Sequence, residues 1–440
     1  MSSTTKPNLL FLFPDQWRWD WLGVHDGSDT PYGKIPVNTP NIDRLAARGV
    51  RFTQCRTNSP VCSPARSCVA QGKRYESCGT PSNAQYTPRD TPTVYRMLRD
   101  AGYHTATCGK SDLFKPDQDD NPTGFLPIMA EYGFTDGIDH RGKGDAIKRA
   151  HRGIVEPYTQ MLRENDLLET HLDDHPPDTP LRRAAYATPL PNDSYTDDFC
   201  GQNGLKLLAR APQDKPWMLW VNFPGPHDPF DPPADMLRQY EGIAFPPPVC
   251  PTDNPPTFRD NIKDRPHYAA CCSNIDAWVG KLIAHIEARG ELNNTVIIFA
   301  SDHGEMLGDH GQWTKTVPQE GSVHVPLIIA GPGMPEGQTC DDLVELIDIS
   351  ATMLAAAGLD VDPGMDARPV PQLGGKPRDI QLSSLGDWKS VVNKQYKLVV
   401  YKTGETLLFD LINDAGETNN LAQAKPDVVE RLKVHLPAFG

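Results

Sequence analysis

The chain has 440 residues and a net charge of −14 at neutral pH, from 43 basic and 57 acidic side chains. That length exceeds what one compact core holds and predicts a large domain with a smaller companion. The acidic balance argues against a nucleic-acid binder, which needs a basic face to displace counterions, and the longest apolar runs, such as Leu9–Phe13 and Thr295–Ala300, are far too short to span a bilayer.

At the N-terminus the apolar stretch stops at Pro14-Asp15 without a cleavage site, so no leader is expected and a cytoplasmic location is. Leu9–Phe13 reads as a buried strand. Thr39-Pro40 supplies an N-cap followed by proline at the first helical position, with Gly49 as its stop, and Thr91-Pro92 with Gly102 brackets a second helix in the same way. Thr105–Cys108, Met218–Phe223, Val296–Ala300 and Pro326–Ala330 read as further buried strands. Residues 111–215 are polar, Pro-punctuated and weakly periodic, suited to excursions that roof a pocket. A long amphipathic helix over about Tyr268–Arg289 ends at Gly290, and another over Ile349–Ala357 ends at Gly358. Strands alternating with helices predict an α/β fold. Pro363–Pro377 reads as a linker; Ser390–Tyr401 and Thr406–Leu411 then read as antiparallel strands and Pro426–Leu436 as a final helix. The expected division is a large domain over residues 1–362 and a C-terminal α+β subdomain over 363–440. The 10 cysteines include no C-x-x-C pair, so reduced thiols are expected rather than disulfides or a thiolate zinc site.

Chemistry gathers after the strands. Leu9–Phe13 runs into Pro14-Asp15-Gln16, Val296–Ala300 into Ser301-Asp302-His303, Tyr103–Cys108 into Gly109-Lys110, and Met218–Phe223 towards His227-Asp228. Ligands of open α/β sheets bind beyond the carboxyl ends of the strands. Asp15, Gln16, Asp302 and His303 together offer two carboxylates, an amide oxygen and an imidazole. That set suits Ca²⁺, Mg²⁺ or Mn²⁺ rather than a closed structural zinc site, although Asp15 alone reads equally well as a turn or helix cap.

A second pattern is Pro60-Val61-Cys62-Ser63-Pro64-Ala65-Arg66-Ser67. Pro64 suits the first turn of a helix that closes near Gly72, which puts Cys62 just before a helix N-terminus. Free N–H groups and the dipole there attract anions, and Arg66 adds a bidentate fork for tetrahedral oxyanions. A cysteine so placed is expected to be acidified and exposed; by itself it also reads as a loop cysteine beside a capped helix.

Cys62-Ser63-Pro64-Ala65-Arg66 resembles the Cys-x-Pro-x-Arg signature of the type I sulfatases of the alkaline phosphatase superfamily. The resemblance is collinear over most of the chain. It takes in Pro7-Asn8 through Asp15-Gln16, Thr39-Pro40-Asn41-Ile42-Asp43-Arg44-Leu45, Ser301 through His310, Val325 through Ile329, and the late Leu408-Phe409-Asp410-Leu411 and Gly416 through Leu421. It implies an alkaline-phosphatase-like fold, a large, mostly parallel mixed sheet flanked by helices with a smaller C-terminal subdomain. It further implies that Cys62 is oxidised to formylglycine by a formylglycine-generating enzyme, and that the aldehyde hydrates to a gem-diol. One diol oxygen attacks sulfur and expels the alcohol, and the second hydroxyl then loses its proton and expels sulfate, restoring the aldehyde.

Carried over residue by residue, the resemblance implies that Asp15, Gln16, Asp302 and His303 hold one divalent metal with the modified Cys62, Ca²⁺ first and Mn²⁺ or Mg²⁺ as alternatives. Arg66 would hold the diol loop, while Lys110, His227 and Lys315 would contact the sulfate and protonate the departing alkoxide. Two features depart from the family pattern. Asp15-Gln16 replaces a pair of aspartates and resembles the phosphonate monoester hydrolases of the same superfamily. Gly109-Lys110-Ser111-Asp112 carries Asp112 where the family often has histidine, so Asp112 would act as the base or meet a cationic substrate group. Trp17, Arg18, Trp19, His324 and Trp388-Lys389 lie beside family segments and are candidates to shape the alcohol pocket. The expected activity is hydrolysis of a small organic sulfate monoester, with phosphonate monoester or phosphodiester hydrolysis as the alternative. No nucleic-acid or membrane partner is expected, and homo-oligomerisation is left open.

Overall fold

In β1 (Asn8–Leu12), Leu9 and Phe11 enter one apolar core while Leu10 and Leu12 enter another, as the period of two demands of a strand covered on both faces. The computed structural model describes residues 6–28, 30–115, 124–125, 127–177, 185–250 and 263–439. After β1, chain order gives β2 (Gly49–Phe52), β3 (Cys55–Arg56), β4 (His104–Gly109), β5 (Asp136–Asp139), β6 (Trp217–Asn222), β7 (Thr295–Ala300), β8 (Leu327–Ala330), β9 (Gln338–Cys340) and β10 (Val344–Glu345). Eight of these form one sheet in the order β5-β4-β6-β1-β7-β8-β2-β9. The run from β5 to β7 is wholly parallel; β8 is antiparallel to both its neighbours, and β9 is parallel to β2. One face is covered by the helices Pro40–Ala47, Thr196–Arg210 and Asp264–Ala288, the other by Cys62–Gln71, Val94–Asp100 and Asp348–Ala356. This is the expected mixed, mostly parallel sheet.

Helix starts differ from expectation where tertiary partners intervene. The second helix is capped by Thr93, whose hydroxyl accepts from Arg96 N at 3.1 Å, and not by Thr91. Thr39 does precede the first helix, but its hydroxyl bonds Asp43 and Gly23; the first-turn N–H groups of Asn41 and Ile42 are taken by Asp276 of the long helix, at 3.0 and 2.8 Å. Gly49 opens β2 instead of closing that helix, because β8 runs so close that a Cβ there would lie 2.2 Å from Ile329 O.

Among its described residues the weakly periodic region 111–215 holds five α-helices, Pro127–Glu131, Lys143–His151, Pro157–Glu164, Leu168–Asp174 and Thr196–Arg210; its parts at 116–123, 126 and 178–184 lie outside the described residues. Their apolar period is hidden because packed faces carry Lys143, Asp197 and Asp198, and because Gly201 lies against the Trp278 indole, where a Cβ would sit 2.2 Å away.

The stretch Pro363–Pro377, expected as a linker, packs on the large domain, with Ala367 and Val370 buried in its cores and Val370 N donating to Thr352 Oγ1 at 3.1 Å. After it a four-stranded antiparallel sheet is built from β11 (Gln381–Leu385), β12 (Trp388–Val392), β13 (Tyr396–Tyr401) and β14 (Thr406–Asp410), with the helix Pro426–Lys433 against it. The single strand expected over Ser390–Tyr401 is a hairpin. Asn393 Oδ1 accepts from Gln395 N and Tyr396 N at 2.9 and 2.7 Å and turns the chain.

This subdomain is bound to the large one through buried ion pairs. Lys397, fully buried in β13, reaches Glu320 Oε1 at 3.0 Å and Glu417 Oε1 at 2.8 Å, while Arg56 of β3 reaches Glu320 Oε2 at 2.6 Å. Burial alone would raise the Glu320 carboxyl, but Arg56, Lys397 and His324 together hold it well below the usual range. β11 docks on the chain just before Cys62, with Ser384 N donating to Asn58 O at 3.0 Å. Removing one partner of a buried ion pair costs about 3–5 kcal/mol, because the other charge is stranded. Lys397→Met is therefore expected to lower stability by that amount; a urea midpoint unchanged from the native chain would show that the network contributes no net stability.

Candidate active site

Four neighbouring parallel strands, β4, β6, β1 and β7, end at one side of the sheet and deliver the polar residues singled out above. Lys110 follows β4, Asn222 closes β6 ahead of His227, Asp15-Gln16 follows β1, and Asp302-His303 follows β7. The helix Cys62–Gln71 brings in Cys62 and Arg66. Cys62 is its first residue, behind the extended N-cap Val61, and Gly72 closes it in the left-handed conformation at φ 64°.

Arg66 is fully buried and reaches all four strand ends. Its Nε donates to Asp302 Oδ2 at 2.9 Å, and its Nη1 donates to Lys110 O at 2.5 Å and Asn222 Oδ1 at 2.9 Å. Its Nη2 lies 3.6 Å from Asp15 Oδ2, and the guanidinium stacks 5.0 Å from the Phe13 ring. Burial would lower its pKa; Asp302 and Asp15 outweigh that and raise it.

Asp15, Cys62, Asp302 and His303 each place a ligand atom within 4.8 Å of the others, and all four are buried. His303 Nδ1 is engaged with Gly304 O at 3.0 Å, which turns Nε2 to within 3.2 Å of Cys62 Sγ. Lys315 Nζ bridges Gln16 Oε1 at 2.6 Å and Cys62 Sγ at 3.2 Å. Lys110 Nζ donates to Asp15 Oδ2. Burial would raise Asp15, and a Cys62 thiolate adds to this, but Lys110, Lys315 and His227 prevail and hold the carboxylate ionised below its usual range. Against the same burial, Lys110, Lys315, His303 and a hydrogen bond from His227 pull the Cys62 thiol well below its ordinary value. The acidification matches expectation. The exposure does not, for Cys62 is 1 % accessible.

Gln16 has a local reason to be an amide. Its Nε2 donates to Asp228 Oδ1 at 3.3 Å and to Glu305 Oε2, two carboxylates that an aspartate here would face with like charge. The donations fix the amide so that Oε1 points to Lys315. Gln16 itself sits at φ 67°, a left-handed conformation uncommon for a side chain of its size, held by Gln16 N to Asp302 Oδ1 at 3.0 Å. Asp112, also left-handed at φ 52°, is engaged by Lys115 at 2.7 Å and Lys110 at 3.5 Å, so its charge is matched from within the chain.

Sequence reasoning missed Asn222 and Glu305 and gave Asp228, noted only beside His227, no role; all three position the others. Lys315 sits between Thr314 and Thr316, β-branched residues at φ 67° and 82°, a costly arrangement that persists only where surroundings impose it. Thr314 N donates to Glu305 Oε1 at 2.5 Å, and Thr316 O accepts from the Trp388 indole of β12 at 2.9 Å. Of the residues expected to shape an alcohol pocket, Trp388 thus buttresses the Lys315 loop. Trp17 lies in the core edge-on to Phe299; Arg18 is locked by Asp20 and Asp309, and His324 stacks on Trp19 and pairs with Glu320. Lys389 is buried and donates to Ala438 O at 2.7 Å. They are structural.

The donors on hand, two carboxylates, an amide oxygen and an imidazole around Cys62, fit one hard divalent cation. A cation-capable cluster beyond the carboxyl ends of a parallel sheet, faced by Arg66, Lys110 and Lys315, is the arrangement that the resemblance to oxyanion-ester hydrolases of alkaline-phosphatase-like fold implies. The sulfatase family profile matches residues 7–359, and the chain belongs to that family: it is a sulfatase. An arylsulfatase of Clostridium perfringens is 27% identical over 96% of this chain and 91% of its own. A choline-sulfatase of Rhizobium meliloti is 28% identical over 96% of this chain and 83% of its own. The phosphonate monoester hydrolase of Agrobacterium radiobacter superimposes with a TM-score of 0.79 at 23% identity, covering 97% and 94% of the two chains, a likeness of fold.

The account of Gln16 is open to a two-residue test. Gln16→Glu is expected to destabilise the metal-free protein by about 2–3 kcal/mol through a buried like charge, and Glu305→Gln in the same chain to recover most of that loss. Additive destabilisation in thermal melts of the single and double variants would separate the two residues.

Proposed function

We propose that this sulfatase cleaves a small organic sulfate monoester through a formylglycine hydrate at position 62, with one divalent cation held by Asp15, Gln16, Asp302 and His303. The observation that carries the reading is the place of Cys62, at a helix N-terminus and within 3.2 Å of both His303 Nε2 and Lys315 Nζ. Its burial implies that a formylglycine-generating enzyme acts before the chain closes over it. Ca²⁺ is the first choice of metal and Mn²⁺ or Mg²⁺ the alternatives. When bound, the cation supplies positive charge against the sulfate oxygens and favours the ionised hydroxyl at position 62.

The chain's own residues divide the remaining work. Arg66 fixes the strand ends and the helix that carries the nucleophile. In the unmodified chain the Cys62 thiolate, Asp15, Asp112 and Asp228 outweigh the burial of Lys110 and Lys315 and raise the pKa of both; at the modified site the three carboxylates remain beside the lysines, which neutralise the sulfate oxygens. His227 has Nδ1 tied to Asp228 O at 2.7 Å, leaving its other nitrogen for the site. Burial and Lys315 would lower its pKa, but Asp228, Asp15 and the bond to Cys62 raise it. It is thereby suited to hold the proton that the departing alkoxide requires.

Gln16 favours a second reading. The Asp15-Gln16 pair resembles that of the phosphonate monoester hydrolases, and because a phosphonate monoester or phosphodiester carries the same single charge as a sulfate monoester, charge does not separate the two substrates. The deciding measurement is kcat/KM on 4-nitrophenyl sulfate and on an aryl phosphonate monoester, with enzyme co-expressed with a formylglycine-generating enzyme. A sulfate preference is expected, with Cys62→Ala inactive on both though folded. A phosphonate preference would move the protein to the second reading, and near-normal turnover by Cys62→Ala would exclude the formylglycine route. Asp302→Ala is expected to lose the bound metal and at least about 100-fold in activity, since Asp302 is both a candidate ligand and the partner of Arg66; stoichiometric metal in that variant would place the ion elsewhere.

A further inference from the structure

Beside the site lies a cavity of about 580 Å³, within the size range of small-ligand pockets. Its wall carries Lys115, Arg141, Lys148, Arg149 and Arg152. Among the described residues that line it, Asp145 is the one carboxylate. Lys115 is paired with Asp112 and Asp145 at 2.7 and 3.7 Å; on a chain of net charge −14, the other four cations about one cavity make a local positive field against the general trend. The helix Lys143–His151 and the turn before it supply most of them. Arg141 and Arg149 are buried, whereas Lys148 and Arg152 are exposed. Guanidinium forks match the paired oxygens of sulfate and carboxylate.

The cavity adjoins the reacting centre. Lys115 Nζ holds Asp112 at 2.7 Å, and Asp112 in turn lies 3.5 Å from Lys110, the lysine on Asp15. Gly142, beside Arg141, runs so near Lys110 that a Cβ would lie 2.8 Å from its Cδ. Asn83, which also lines the cavity, accepts from Ser63 N at 2.9 Å, one residue past Cys62. Tyr86 and Phe114, edge to face with centroids 4.9 Å apart, offer an apolar surface for a ring.

We propose that this cavity is the leaving-group subsite and that it takes a ring-bearing alcohol carrying a second anionic group, a sulfate or a carboxylate, besides the ester that is cleaved. This rests on the reading of the site as a sulfate-ester hydrolase and adds the class of substrate. A cationic alcohol would be repelled here, since Asp112 is already matched by two lysines.

The test uses non-hydrolysable probes, so that binding is read apart from turnover. Naphthalene-1-sulfonate, naphthalene-1,5-disulfonate and 5-carboxynaphthalene-1-sulfonate are titrated calorimetrically into the metal-loaded enzyme. At least one dianion is expected to bind about tenfold or more tighter than the monoanion, with a steeper loss of affinity in salt, and the better of the two identifies the second group. Lys148→Glu with Arg152→Glu, both at exposed positions, is expected to bring that ratio close to one. Equal affinity for monoanion and dianions, no binding of any probe, or a preference untouched by the double variant would overturn the subsite. Turnover of 4-nitrophenyl sulfate is measured in parallel. A dianion preference in an enzyme that carries formylglycine yet hydrolyses no sulfate ester would retain the subsite and reject the hydrolase reading; turnover without the preference would do the reverse.

Discussion

One buried guanidinium organises this protein. Arg66 arrives on a helix lying over one face of the sheet, yet it is bonded to groups at the ends of β4, β6 and β7 and paired with the carboxylate beyond β1. A buried cation is tolerable only when charges and acceptors surround it. Asp302, Asp15, the Lys110 carbonyl and Asn222 meet that requirement, and in doing so they are held in register. The same bonds hold the first turn of the helix, and so Cys62, against those strand ends. Arginine is needed for this, because a lysine ammonium cannot address four elements in one plane.

Around that fixed point the electrostatics alternate at close quarters. Asp15 and Asp302 face Arg66, Lys110 and Lys315; Gln16 stands where the next shell, Asp228 and Glu305, is negative. An amide donating to both carboxylates turns its oxygen to Lys315 at the centre, whereas a carboxylate would meet repulsion. The departure from the paired-aspartate pattern is therefore a consequence of the shell behind it. The Lys315 loop follows the same logic, its left-handed threonines held by Glu305 on one side and Trp388 on the other.

The C-terminal sheet belongs to this construction. Through Lys397 it shares Glu320 with Arg56, through β11 it fixes the chain that leads into Cys62, and through Trp388 it supports Lys315. Two of the centre's groups are thus positioned by residues that come late in sequence. The basic helix Lys143–His151 plays the corresponding part for the cavity, packed next to Lys110 from a region whose polarity conceals its secondary structure.

The sequence by itself determined the strands that end in chemistry. Apolar runs bounded by Pro, Gly, Asp and Lys are local signals, and Asp15, Gln16, Cys62, Arg66, Lys110, Asp302 and His303 were legible because each sits at a strand end or in a short motif. Local order also placed the long helix and its glycine stop at Gly290. The tertiary structure alone decided what depends on partners distant in sequence: the cap that Asp276 lends to the first helix, Gly49 as a strand residue pressed on β8, and the burial of Cys62. It likewise decided the roles of Asn222, Asp228, Glu305 and Trp388. Those residues have no pattern of their own, since a side chain that acts by orienting another is defined by a distance in space, and neither periodicity nor spacing records such a distance.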